Sequence, residues 1–119
     1  MDKVEMFEQE CMDRIQNYPQ DTALMKASHG FLEASFEPKY SYNFRWMGRP
    51  IIQYPQDMIA MQEIIWKVSP DLIVETGIAH GGSLILYASI LELIGGTGSV
   101  LGIDIDIREH NRAEIEKHR

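Results

Sequence analysis

Apolar residues change their period several times along this chain, and each change predicts an element. Val4, Phe7, Cys11 and Ile15 recur at spacings of three and four, with acidic residues between them, which predicts an amphipathic helix over 4–18 ended by Pro19. Asp21 is placed to cap a short helical run from Thr22 to Ser28. Residues 29–54 then lose any period. Phe31, Phe36, Tyr40, Tyr42, Phe44, Trp46 and Tyr54 fall among Gly30, Pro38, Gly48 and Pro50, which punctuate the chain. Such a stretch reads as an aromatic-rich arm covering a sheet or a partner subunit, or as one pocket wall offering Arg45, Trp46 and Tyr54.

A helical period returns with Asp57 as the expected N-cap and Met58, Met61, Ile64, Ile65 and Val68 as the apolar stripe. Ser69-Pro70 stops it, because a residue before proline is pushed out of the helical region. Leu72-Ile73-Val74 is short and wholly apolar, and predicts a strand covered on both faces. A glycine-rich loop follows, then a helix expected to be capped by Ser83 and to end near Ile94, a turn at Gly95-Gly96-Thr97-Gly98, and a second strand from Ser99 to Ile103. Arg108 opens a last helix in which Arg112 and Glu116 form an i, i+4 pair. The expected division is an N-terminal helical and aromatic arm over 1–56 and a βαβ-containing domain over 57–119. Cys11 is expected as a small core residue, and His110 and His118 as solvated.

The loop carries the candidate chemistry. A sharp strand-to-helix turn needs glycine where φ is positive or where backbone meets a ligand, and Gly77, Gly81 and Gly82 answer that need. The helix behind them aims free N–H groups and a positive dipole end at the loop. Against G-x-G-x-x-G the loop reads Gly77-x-Ala79-x-x-Gly82, so a methyl group stands where a pyrophosphate would approach the backbone of a dinucleotide binder. Glu75 would repel phosphates but accept a hydrogen bond from an ammonium group. S-adenosylmethionine combines an ammonium, a carboxylate and a sulfonium with no phosphate, and fits these residues better than NAD. Asp104 closes the second strand, 27 positions after Gly77 (104 − 77), where an acidic side chain meets ribose hydroxyls, and Asp106 would point the same way. His80 sits at the loop tip as a pocket-lining or surface histidine rather than a base. The plain alternatives are turn glycines of a ligand-free unit, and Asp104 as only a helix cap.

Composition narrows the classes. An apolar fraction of 45% and a charged fraction of 24% belong to a folded globular chain rather than a disordered one. A net charge of −7 argues against nucleic acid and anionic membrane as partners. With one cysteine there is no intrachain disulfide, the first residues lack the apolar core of a signal peptide, and no apolar stretch reaches the roughly 18 residues of a membrane-spanning helix. The expected location is the cytoplasm.

Glu75-Thr-Gly-Ile-Ala-His-Gly-Gly-Ser83, with Val100-Leu-Gly-Ile-Asp-Ile-Asp-Ile-Arg108, resembles the cephalosporin hydroxylase and rhamnosyl O-methyltransferase family. Trp46-Met-Gly-Arg-Pro50 and Gln53-Tyr-Pro-Gln-Asp57 resemble it too, and the resemblance covers about 40–119. It implies an α/β, Rossmann-like three-layer fold of the class I methyltransferases, of which the N-terminal helices and first βαβ unit are present. It implies S-adenosylmethionine at Glu75, Gly77, Gly81, Gly82, Ser83 and Asp104, with Ala79, His80 and Asp106 as further candidates from the loop and strand end themselves, and methyl transfer to a hydroxyl of a small molecule or sugar. The family's catalytic carboxylates and possible Mg2+ ligands lie on later strands, so the chain is expected to be an N-terminal half. The resulting expectation is a truncated form, a homo-oligomer, or a chain whose partner covers an open sheet edge. An inactive assembly module is the alternative from another class, and an NAD-linked oxidoreductase half is a lesser one. The family name leaves methyl transfer and hydroxylation both open.

Overall fold

The computed structural model describes residues 1–118, which fall into two compact units, 1–38 and 39–118.

The first unit is a pair of helices. α1 (Lys3–Asn17) opens with a capping box: Asp2 accepts from the Val4 and Glu5 amides, and Glu5 accepts from the Asp2 amide. A single turn of tighter helix, Tyr18–Gln20, carries Pro19 at its start. α2 (Thr22–Ala34) is capped by the Asp21 carboxylate on the Leu24 amide. It runs six residues beyond the expected end at Ser28 (34 − 28), straight through Gly30. A single helical glycine costs only about 1 kcal/mol relative to alanine, and no proline intervenes before Pro38. The apolar face of α1 is open: Val4, Phe7 and Ile15 are all more than half exposed. Cys11 is half-buried, not a core residue, and its sulfur accepts from the Arg14 guanidinium at 3.2 Å.

The second unit holds the βαβ motif. β1 (Phe44–Trp46) and β2 (Arg49–Ile51) form an antiparallel hairpin inside the aromatic segment that sequence period left irregular. Its two-residue turn, Met47-Gly48, has positive φ at both positions (46° and 82°), the geometry whose twist matches that of paired strands. α3 (Pro55–Val68) starts one turn earlier than expected. Tyr54 is the N-cap, Pro55 takes the first position where no N–H is missed, and Asp57 faces the helix dipole from the first turn. Ile65 is buried and Met58 and Met61 pack on the core, whereas Ile64 and Val68 lie on the exposed side.

β3 (Leu72–Thr76) and β4 (Ser99–Ile103) pair in parallel, with Leu72 opposite Ser99 and Thr76 opposite Ile103. α4 (Gly82–Leu93) connects them, and α5 (Glu109–Glu116) follows β4. α4 is apolar nearly all round and lies at the centre, with Leu86, Tyr87, Ile90 and Leu91 buried against Ile51, Ile65, Phe44 and Trp46 and the sheet residues Ile73 and Val100. The hairpin therefore belongs to the layer that covers α4, and residues 39–56 pack in the same unit as the glycine loop rather than with the arm. The Trp46 indole donates to the Ser89 hydroxyl on α4 at 3.0 Å, so Trp46 is a packing residue.

The sheet is covered on one face only. Ile73 and Val100 point at α4, while Leu72, Val74, Leu101 and Ile103 alternate outward and are each about half exposed. The expected two-sided burial of Leu72–Val74 is thus corrected, because no element of the second unit lies over the second face. Among the described residues no helix is long and apolar enough to cross a membrane.

Candidate functional site

The loop between β3 and α4 is fixed from below by the chain itself. Gly77 has φ 83°, and its amide extends the ladder by donating to the Ile103 carbonyl at 2.7 Å. A Cβ at Gly77 would meet no atom within 4 Å, so the space above it is open. Ile78 turns its side chain into the core and its amide onto Asp104 Oδ2 at 2.8 Å. Ala79 follows in the left-handed region with φ 47°, which is strained for a residue with a Cβ. The Gly81 amide closes the turn on the Ile78 carbonyl at 2.8 Å.

Gly81, not Ser83, is the N-cap of α4, and no side chain caps this helix end. Gly82 has a different reason to be glycine: a Cβ there would fall on the Pro50 carbonyl oxygen, because β2 is pressed against the start of α4. The Ser83 hydroxyl is instead turned back to β3, where it donates to Glu75 Oε1. Tyr87 lies one helical turn further on. Burial pushes its phenol above the usual tyrosine value, the charge of Glu75 and a hydrogen bond to it push the same way, and a Gln53 side chain opposes them. Glu75, Ser83, Tyr87 and Gln53 are therefore one polar cluster at the carboxyl end of β3.

A second cluster stands at the end of β4. The Asp104 carboxylate is held below the usual carboxylate range, first by the Ile78 amide and then by the Asp106 amide, with Ile105 and Ala79 adding to it. The Asp106 amide reaches Asp104 Oδ1 at 3.2 Å. Above the loop tip, Arg49 of β2 donates from Nε to the His80 carbonyl at 2.7 Å and from Nη2 to Asn111 Oδ1 at 2.8 Å. Asn111, in the first turn of α5, is buried and donates from Nδ2 to the Ala79 carbonyl at 3.2 Å.

These groups border two clefts that share Ala79 and His80. One, of 350 Å³, is bounded by residues 50–53 of the β2 exit, by Glu75, Thr76 and Gly77, and by Gly82, Ser83 and Tyr87. The other, of 260 Å³, is bounded by Ile78, Asp104, Asp106, Ile107, Arg108 and Asn111. Glu75 and Asp104 thus face different clefts, with the loop tip between them. The pocket wall from the aromatic segment is residues 50–53, not Arg45, Trp46 or Tyr54. Arg45 bonds to the Phe44 carbonyl, and Tyr54 caps α3 with its ring 6.0 Å from that of Tyr40.

The sequence had partial signals for what was missed. Met47-Gly48 is a hairpin turn in outline, and the hairpin delivers Arg49. Tyr87 lies four residues after Ser83 and so on the same helical face. Nothing in the local pattern marks Gln53 or Asn111, which reach the loop only through tertiary packing. His118 is half-buried rather than solvated, with Nε2 2.9 Å from the Met47 carbonyl, and His110 is exposed. Among the described residues no group of three or more His, Cys, Asp or Glu side chains is arranged to hold a metal ion.

Residues 38–119 match the family described as Rhamnosyl O-methyltransferase/CmcI. A rhamnosyl O-methyltransferase of Mycobacterium leprae (strain TN) is 34% identical over 64 residues, which is 54% of this chain and 28% of that protein. Its counterpart in Mycobacterium tuberculosis (strain ATCC 25618 / H37Rv) is 36% identical over 59 residues, 50% of this chain and 24% of that protein. A solved structure described as cmcI-N160 SAH superposes with a TM-score of 0.52 at 27% identity, covering 59% of this chain and 39% of that one. The matched part therefore spans well under half the length of each of these relatives.

Proposed function

We propose a function from one premise: the chain belongs to the rhamnosyl O-methyltransferase/CmcI family and has its Rossmann-like α/β fold. On that premise the two clefts are the two ends of one S-adenosylmethionine site, and this chain supplies the cofactor-binding part of an O-methyltransferase. The observation that carries the reading is the loop with a carboxylate cluster on each side and an uncapped helix end behind it. The open space over Gly77 leaves bare backbone for a ligand to approach.

Each charge of the cofactor then has a partner of the right sign. The Glu75 carboxylate accepts from the ammonium, and Ser83 and Tyr87 hold it at that position, with Gln53 in turn on Tyr87. The α4 N-terminus receives the cofactor carboxylate. Asp104 is fixed by the Ile78 and Asp106 amides and stands where its carboxylate can accept from ribose hydroxyls, with Asp106 beside it. Ala79 puts a methyl where a pyrophosphate would need bare backbone, which favours S-adenosylmethionine over NAD. The cofactor supplies the methyl group; the chain's own residues bind, orient and neutralise it. The methyl acceptor is a hydroxyl of a small molecule or sugar, in keeping with the name of the mycobacterial relatives.

Calorimetric titration with S-adenosylhomocysteine, and separately with NADH, tests this. Saturable binding of the first alone is expected, lost in Glu75→Gln. Binding of NADH, or of neither ligand, would refute it.

A further inference from the structure

We propose that Arg49 and Asn111 are positioning residues that fix the Ala79 and His80 peptide units, and so set the shape of the ligand loop. As a statement about cofactor binding this rests on the methyltransferase reading; as a statement about the loop it stands alone. Two adjacent backbone carbonyls are caught from outside, Ala79 by Asn111 Nδ2 and His80 by Arg49 Nε, while Arg49 and Asn111 bond to each other. The three bonds join residues 31, 62 and 32 positions apart. They bring β2, the loop and α5 to one point, and local chain geometry would not produce them.

The bonds act at the strained position. Ala79 holds φ 47°, and such a conformation persists only where its surroundings over-determine it. In a trans peptide the carbonyl and the following N–H point opposite ways. With the Ala79 carbonyl held on Asn111, the His80 N–H is turned to the other side of the loop, and the His80 carbonyl on Arg49 does the same for the Gly81 N–H, which lands on Ile78. A lysine at 49 keeps the charge but not the planar fork that spans both acceptors. An aspartate at 111 keeps an acceptor for Arg49 and loses the donor for Ala79.

The test uses the whole chain and two readouts. In ligand-free protein, Arg49→Lys and Asn111→Asp are expected to speed amide hydrogen exchange at Ile78 and Gly81 by about tenfold or more, with β3–β4 ladder amides at the unsubstituted rate. S-adenosylhomocysteine should bind these variants about tenfold more weakly. Unchanged exchange at Ile78 and Gly81 overturns the inference. So does acceleration spread equally over the ladder, which would make the pair ordinary framework, and so does a loosened loop with unaltered affinity. If the unsubstituted protein takes up no S-adenosylhomocysteine, the methyltransferase reading fails, and exchange alone then decides whether the pair holds the loop.

Discussion

Gly82 and Ala79 show two opposite demands a few residues apart. A methyl group at Gly82 collides with backbone, the Pro50 carbonyl, which cannot swing aside as a side chain would. Gly82→Ala is expected to destabilise by about 1–3 kcal/mol, read as a lower urea midpoint at constant slope. At Ala79 the methyl is already present and sits at φ 47°. Removing it relieves about 1–2 kcal/mol of left-handed strain, against about 0.4–1 kcal/mol for the added freedom of the unfolded chain. Ala79→Gly should therefore leave the thermal midpoint equal or a few degrees higher; a clear fall would mean that the alanine methyl makes a contact of its own. Both residues occupy glycine positions of one motif, yet only the substitution at 82 is forbidden by packing.

At the scale of elements, the loop is held to β4 by the Gly77 amide on the Ile103 carbonyl and to the residue after it by the Asp104 carboxylate. Asp104 has its folded value lowered, mainly by the Ile78 amide, so the stability it contributes is complete above about pH 4 and is lost as pH falls through that lowered value. Across pH 5 to 2 the unfolding midpoint of the protein should drop more steeply than that of Asp104→Asn; parallel curves would show the Ile78 bond to be inconsequential. This element was readable in outline. The run Leu72–Val74, the glycines and the acidic close at Asp104 mark strand, turn, helix and strand, because each depends on its own local period. What escaped depends on contacts across the chain. Arg49 and Asn111 reach the loop from 31 and 32 positions away, and the exposure of Ile64 and Val68 reflects which side of α3 faces α4. Ser83 has the residue type of a cap, but its hydroxyl is drawn to Glu75, a partner eight residues back that the turn from β3 into α4 brings close. The helix end is left open as a result.

At the scale of the molecule, the second unit carries an open apolar face on its sheet. Leu72, Val74, Leu101 and Ile103 form a half-exposed apolar patch, and Ile105 beyond them is fully exposed. A flat apolar patch beside an unpaired strand edge promotes association. Leu101→Lys is expected to reduce concentration-dependent association in sedimentation velocity while leaving the unfolding midpoint within about 0.5 kcal/mol, since the side chain is already half in water. An equal loss of stability would mean that the face is packed in solution. The ligand clefts lie at the carboxyl ends of the same strands, so this substitution should not alter uptake of S-adenosylhomocysteine.

The long spans closed by Arg49 and Asn111 also set a schedule for self-assembly. The β3–α4–β4 motif joins neighbours in sequence and should form early, whereas bringing residue 49 to residue 111 closes a large loop of chain and waits on two other elements. Recognition of ligand would then be the last property to return. In a stopped-flow refolding series the far-ultraviolet signal should recover before S-adenosylhomocysteine is captured, and simultaneous recovery would show the Arg49–Asn111 contact forming with the strands.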